Sequence, residues 1–202
     1  MPSGEFWANP GTEPKRIYRW VMRFNINSPT NQIDEWLVKK VTRPSWDITE
    51  TPHSFLNHTF YYPGRIQYKE ISVTLVDAIA PNSAVNMQNL LAASGYITPD
   101  VVAQGAPDGY ATISKAGWGS EGAGLGNIQI VQLDQNGDSL ETWHLYNTFI
   151  KSCDLGELNY ESDDLLNVDL TLRYDYFKIG AGAGGTRGSQ LTIADVVDIF
   201  RV

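Results

Sequence analysis

The sequence predicts a mainly β fold: an antiparallel β-sandwich or barrel with one flanking helix, an extended N-terminal arm and a short C-terminal helix. Three observations carry that expectation. Apolar and polar residues alternate with period two along several stretches, the pattern of half-buried strands. Eighteen glycines and ten prolines punctuate the 202 residues and favour many turns over long helices. One internal segment alone places its apolar residues at convincing helical spacing. The expected organisation is an arm over 1–15, a β domain over 16–179 with a Gly/Pro-rich insert at 97–126, and a Gly-rich linker with a helical tail over 180–202.

Taken in order, the arm holds two aromatics and three prolines without periodicity. From Arg16 to Asn27, Tyr18, Trp20, Met22, Phe24 and Ile26 share one face, opposite Ile17, Arg19, Val21 and Arg23. A second strand is expected over Ile33–Thr42, closed by Pro44. Two more, Phe55–Tyr62 and Ile66–Asp77, are divided by the turn dipeptide Pro63-Gly64. Asn82–Ser94 reads as a helix: Asn82 caps it, Ala84, Met87, Leu90, Leu91 and Ser94 line one face, and Gly95 ends it. Residues 97–126 read as loop, with one short strand near Tyr110–Ile113. Ile128–Leu133 alternates up to Asn136-Gly137, a strong hairpin signal, and Leu140–Ile150 returns. The longest alternation sets Leu166, Val168, Leu170, Leu172, Tyr174 and Tyr176 against Asn167, Asp169, Thr171, Arg173 and Asp175. Gly180–Gly188 reads as a flexible linker, and Leu191–Phe200 as a helix too short to stand alone in water.

Bulk composition excludes several functions. A net charge of −8 argues against tight nucleic-acid binding, which needs clustered Lys and Arg. One cysteine, Cys153, rules out an internal disulfide and any multi-cysteine zinc site, and fits a reducing compartment. The first residues lack a basic segment followed by an apolar one, so no secretory signal is expected, and no apolar run is long enough to insert in a membrane.

Candidate chemistry fails its own requirements. Gly117-Trp-Gly119-Ser-Glu-Gly122 matches a dinucleotide pattern, yet Ala-Gly-Leu-Gly follows where a helix must begin. Asp134, Asn136 and Asp138 resemble the start of a calcium loop, but Ser139 and Leu145 stand where Gly and Glu are required. His53, His58 and His144 have no metal-ligand spacing, and Cys153 reads as a small buried hydrophobe. Asn57-His58-Thr59 is a glycosylation sequon in form only, and Asp163-Asp164 reads as a solvated turn. The sequence therefore carries the expectation of no catalytic residues, no metal and no cofactor.

Two stretches carry a family likeness. Phe149-Ile-Lys-Ser-Cys153-Asp-Leu-Gly156-Glu157-Leu158-Asn-Tyr160, followed by the alternating strand to Tyr174, Tyr176 and Phe177, resembles the closing hairpin of the contractile-tail bacteriophage tube proteins. Tyr62-Pro63-Gly64-Arg65-Ile66 with Ile71-Ser-Val73-Thr-Leu75-Val-Asp77 resembles that family's Pro-Gly loop and next strand. The likeness implies a tube subunit, related to those of contractile injection systems, assembling as stacked hexameric rings in the host cytoplasm and carried in the virion's tail. It implies sheath, baseplate and tube-terminator proteins as partners, and DNA crossing the lumen without specific binding. Insert and tail depart from the small tube subunits and leave a baseplate-proximal tube ring as an alternative.

On this reading Asn167, Asp169, Thr171, Arg173 and Asp175 line the lumen, or else the polar face of 66–77 does, with Gln67 and Lys69. Phe6, Trp7, Leu191, Ile193, Val196 and Phe200 make contacts between rings. Six chains of −8 give −48 per ring, a wall that repels DNA within a narrow pore. A reading of another class is a carbohydrate- or host-binding β-sandwich that uses Trp7, Trp36, Trp46 and Trp118 as stacking platforms.

Overall fold

Alternation becomes burial in the computed structural model, which describes residues 14–24, 33–100, 113–118, 125–161 and 163–182. The strands are β1 (Trp20–Phe24), β2 (Val38–Val41), β3 (Trp46–Phe55), β4 (His58–Tyr68), β5 (Ile71–Val76), β6 (Ile128–Leu133), β7 (Ser139–Tyr146), β8 (Phe149–Asp154), β9 (Asn167–Arg173) and β10 (Tyr176–Ala181). Helix α1 spans Ser83–Ala93 and a single turn, α2, spans Lys115–Trp118. Two four-stranded sheets run β1-β6-β7-β10 and β2-β5-β9-β8, and every pairing in them is antiparallel.

The core lies between these sheets. Met22, Ile128, Ile130, Trp143 and Leu145 come from the first. The second sends Ile71, Val73 and Leu75 from β5 and Val168, Leu170 and Leu172 from β9. Helix α1 adds Met87 and Leu90; the Asn82 side chain accepts the Val85 N–H at 2.9 Å, so the cap foreseen for this helix forms.

Several boundaries differ from expectation, each for a physical reason. Ile33–Thr42 is not one strand: Glu35–Leu37 forms a 3-10 turn that buries Leu37 before β2 begins. Pro63-Gly64 does not turn the chain but lies inside β4. Pro63 has no N–H for the ladder, and opposite it the register shifts between Ile48 and Glu50. Thr49 fills the gap, its hydroxyl accepting the Arg65 N–H at 2.8 Å. A Cβ on Gly64 would collide with that hydroxyl, so this glycine serves a close approach between strands. The actual turn is Leu56–Asn57, with Leu56 at φ 54.

Leu140–Ile150 breaks at Asn147, also at φ 54, and the chain passes from β7 in one sheet to β8 in the other. The supposed linker begins late, because Gly180 and Ala181 pair with Thr142 and Glu141. The insert is not wholly loop: Trp118 and Leu125 are buried in the core. Residues 110–112 of the expected short strand, the arm over 1–13 and everything from Ala183 onward lie outside the described residues.

Candidate assembly surfaces

The β3–β4 hairpin is the feature least accounted for by folding. Its strands pair with each other and with no further strand among the described residues. At about 3.3 Å per residue, its nine paired positions make a ribbon longer than four strands set side by side at about 4.8 Å are wide. Register puts Thr51, His53 and Phe55 on one face with Tyr62, Phe60 and His58. That face is aromatic, and the His58 ring meets Phe60 edge-on at 4.6 Å. Phe55 is 63% exposed, Tyr62 57% and the tip residue Leu56 87%. Exposed large apolar residues gathered on one face are candidates for an interaction site, and a leucine held at positive φ in solvent is a strained choice for a free turn.

The base of the ribbon is firmly seated. Tyr68 packs against Tyr174 and Phe177, with ring centroids 6.0 and 5.4 Å away. Lys69 N–H donates to the Ser45 carbonyl at 2.9 Å, and the Tyr174 hydroxyl donates to the same oxygen at 3.4 Å. Burial pushes the Tyr174 hydroxyl pKa up, so it stays a donor at neutral pH. Lys69 also pairs with Asp47 at 2.9 Å.

Four of the residues expected to line a lumen do share a face. Asn167, Asp169, Thr171 and Arg173 point outward from β9 between buried Val168, Leu170 and Leu172. Asp169 accepts from the Thr74 hydroxyl of β5, and Arg173 lies 3.4 Å from Glu70. Lys151, at 2.6 Å, holds the Glu70 carboxyl below its usual pKa range. Asp175 is placed differently. It follows β9 and is tied to Lys115 and, at 2.8 Å, to the Asn147 amide, which lowers its pKa. The other proposed lining, 66–77, is split: Gln67 belongs to the hairpin, and Ile71–Val76 to the sheet. Phe6, Trp7, Leu191, Ile193, Val196 and Phe200 lie outside the described residues.

The remaining motifs resolve as structure. Asp134 caps its own hairpin, accepting the Asn136 and Asp138 N–H groups at 2.7 and 2.9 Å, with Gly137 at φ 87. Cys153 is exposed on edge strand β8 and not buried as its type suggests; desolvation and then the Asp154 charge raise its thiol pKa. Trp36 and Trp46 are exposed, but Trp118 is a core residue, so the row of four stacking tryptophans does not form. Among the described residues no group of His, Cys, Asp or Glu is arranged to hold a metal, and no helix is long and apolar enough to cross a membrane.

The fold is similar to that of chains in contractile injection particles. It matches a chain in the anti-feeding prophage cap (the tube-terminating cap) with a TM-score of 0.59 at 16% identity, over 84% of this chain and 93% of that one. A chain in the PVC sheath–tube complex in its extended state matches with 0.54 at 18%, over 83% and 92%. A chain in the anti-feeding prophage baseplate matches with 0.53 at 13%, over 84% and 97%. At these identities the likeness is one of fold. No protein-family model matches the sequence, and no curated protein matches it by sequence.

Proposed function

We propose that this chain is a non-enzymatic structural subunit of a contractile tail or tail-like particle, assembling through its sheet edges and the β3–β4 hairpin into stacked hexameric rings. One observation carries the reading. A long ribbon with an aromatic face is built into a fold shared with chains of tube, cap and baseplate particles, and no described residue of its own chain covers that face. A second copy supplies the cover. The polar face of β9, led by Asp169, then borders the bore, where the net charge of −8 repels a polyanion.

The finest form of the reading is a phage tail tube that passes DNA at ejection, with sheath, baseplate and terminator as neighbours. A tube ring of an extracellular injection particle is the second form, favoured by the solved neighbours themselves. Negative-stain imaging of the purified chain tests both, with rings or stacked tubes as the expected result. A chain that stays monomeric at every concentration overturns the reading. In a reconstituted phage, Asp169→Lys should slow genome release if β9 borders a DNA channel, and unchanged release removes that placement.

A further inference from the structure

We propose that a basic, tryptophan-floored cleft at the β1–β2 edge seats the acidic segment 154–161 of a second copy of this chain. The proposal rests on the ring reading and names its lateral contact. The cleft encloses about 330 Å³ where the chain entering β1 meets β2 and the segment after it. Lys15, Arg16, Lys39, Lys40 and Arg43 surround it, five of the fifteen Lys and Arg in a chain of net charge −8. Trp20 and Trp143 also line it, and the Arg43 guanidinium lies 5.5 Å from the Trp143 ring centre. Lys15 is paired with Glu141, and Lys39 reaches the Asn167 amide oxygen at 3.4 Å. Arg16 and Lys40 have no side-chain partner among the described residues. Concentrating five cations here, with Glu141 the one carboxylate paired to them among the described residues, leaves a site that favours an acidic ligand with apolar contacts.

The chain carries such a ligand at its other side. From Ser152 to Leu172 there is no Lys or Arg. Within this stretch Asp154, Glu157 and Glu161 flank Leu158, which is 84% exposed, and Tyr160, which is fully exposed. Glu157 and Glu161 have no cationic partner among the described residues. The segment leaves β8, one edge of its sheet, whereas the cleft is built at β2, the opposite edge, and at β1, an edge of the other sheet. A patch on one edge meeting a different patch on the other repeats head to tail, the interface type that closes rings. Tyr160 and Leu158 would enter between the tryptophans while Glu157 and Glu161 meet Arg16 and Lys40.

Charge reversal in the full chain tests this. Arg16→Glu with Lys40→Glu reverses the two unpaired charges of the cleft, and Glu157→Lys with Glu161→Lys reverses the two of the segment. At about 0.1 M salt, where screening sets in beyond about 10 Å, each variant alone should lose rings by light scattering and negative stain while keeping its circular dichroism. An equimolar mixture of the two should regain them, as should the chain with all four changes. Rings from each variant at the wild-type level overturn the proposal and leave the ring reading standing. Folded variants that neither mixture nor fourfold change rescues also overturn it. If the wild type forms no rings, the ring reading fails by itself, and a peptide of residues 154–161 probes the cleft directly. Binding that Arg16→Glu/Lys40→Glu abolishes then supports the pairing, and no binding overturns it.

Discussion

Strands β5 and β9 and the β3–β4 hairpin are both antiparallel pairs, yet they close their free-energy accounts in different places. Along β5 and β9 every second residue is buried: Ile71, Val73 and Leu75 face Leu172, Leu170 and Val168 in register. Their apolar surface leaves water when this chain folds. Along the hairpin, Phe55, Phe60 and Tyr62 share a face and remain exposed. No described residue of the chain covers their apolar surface. On the proposed ring reading the first pair sets monomer stability and the second sets assembly, and mutations should separate the two.

The largest effect is expected in the sheet. Leu172 is fully buried, so Leu172→Ala removes transfer free energy and leaves a cavity, a loss of about 2–5 kcal/mol in urea unfolding. A cost below about 1 kcal/mol would show that the sandwich collapses around the gap. Next, Phe60→Ser with Tyr62→Ser should shift the monomer's unfolding by less than about 1 kcal/mol, as befits exposed sites, but abolish rings and tubes in negative stain. Tubes of normal length from that variant would break the comparison, since the aromatic face would then serve no contact. Gly64→Ala lies between the regions. Its Cβ must displace the Thr49 hydroxyl that bridges the bulge, so tube yield should fall, with amide exchange rising at Arg65 before it rises in β9.

The smallest effect is electrostatic. Lys115 and Asn147 lower the Asp175 pKa, so its ionised form is the one the fold favours. The sign follows: its contribution is present above the unfolded carboxyl's pKa and disappears as pH falls through the lower folded value. Asp175 is more than a third exposed, which confines the gain to less than about 1 kcal/mol. Asp175→Asn should therefore lower stability slightly at pH 7 and not at all once the native carboxyl is protonated in acid. An equal difference at both extremes would mean that lost packing, not charge, is responsible.

Much was legible in the sequence where one chain satisfies its own residues. The period-two runs at Trp20–Phe24 and Val168–Leu172 became strands with the foreseen faces inward, because alternation directly encodes which side meets the core; Ile128–Leu133 also became a strand, though it buries Val131 besides Ile128 and Ile130. Asn82 capped its helix and Asn136-Gly137 turned its hairpin, since both signals act within a few residues. The polar face of β9 was equally plain, though Asp175 belongs to a local tether beyond it.

What the sequence by itself determined is the β-rich character, the inward faces of β1 and β9, and the capped helix over Ser83–Ala93. Only the tertiary structure decided that Trp46–Phe55 is a strand, since Thr-Glu-Thr-Pro-His-Ser carries no alternation and gains its form from pairing with β4. It alone moved the turn from Pro63-Gly64 to Leu56–Asn57, where a bulge accommodates the proline. It also drew Arg16 and Lys40 to one cleft and left segment 154–161 at another edge. Such gatherings depend on which strands become neighbours, and that is fixed by the packing of the whole core, not by any local run of residues.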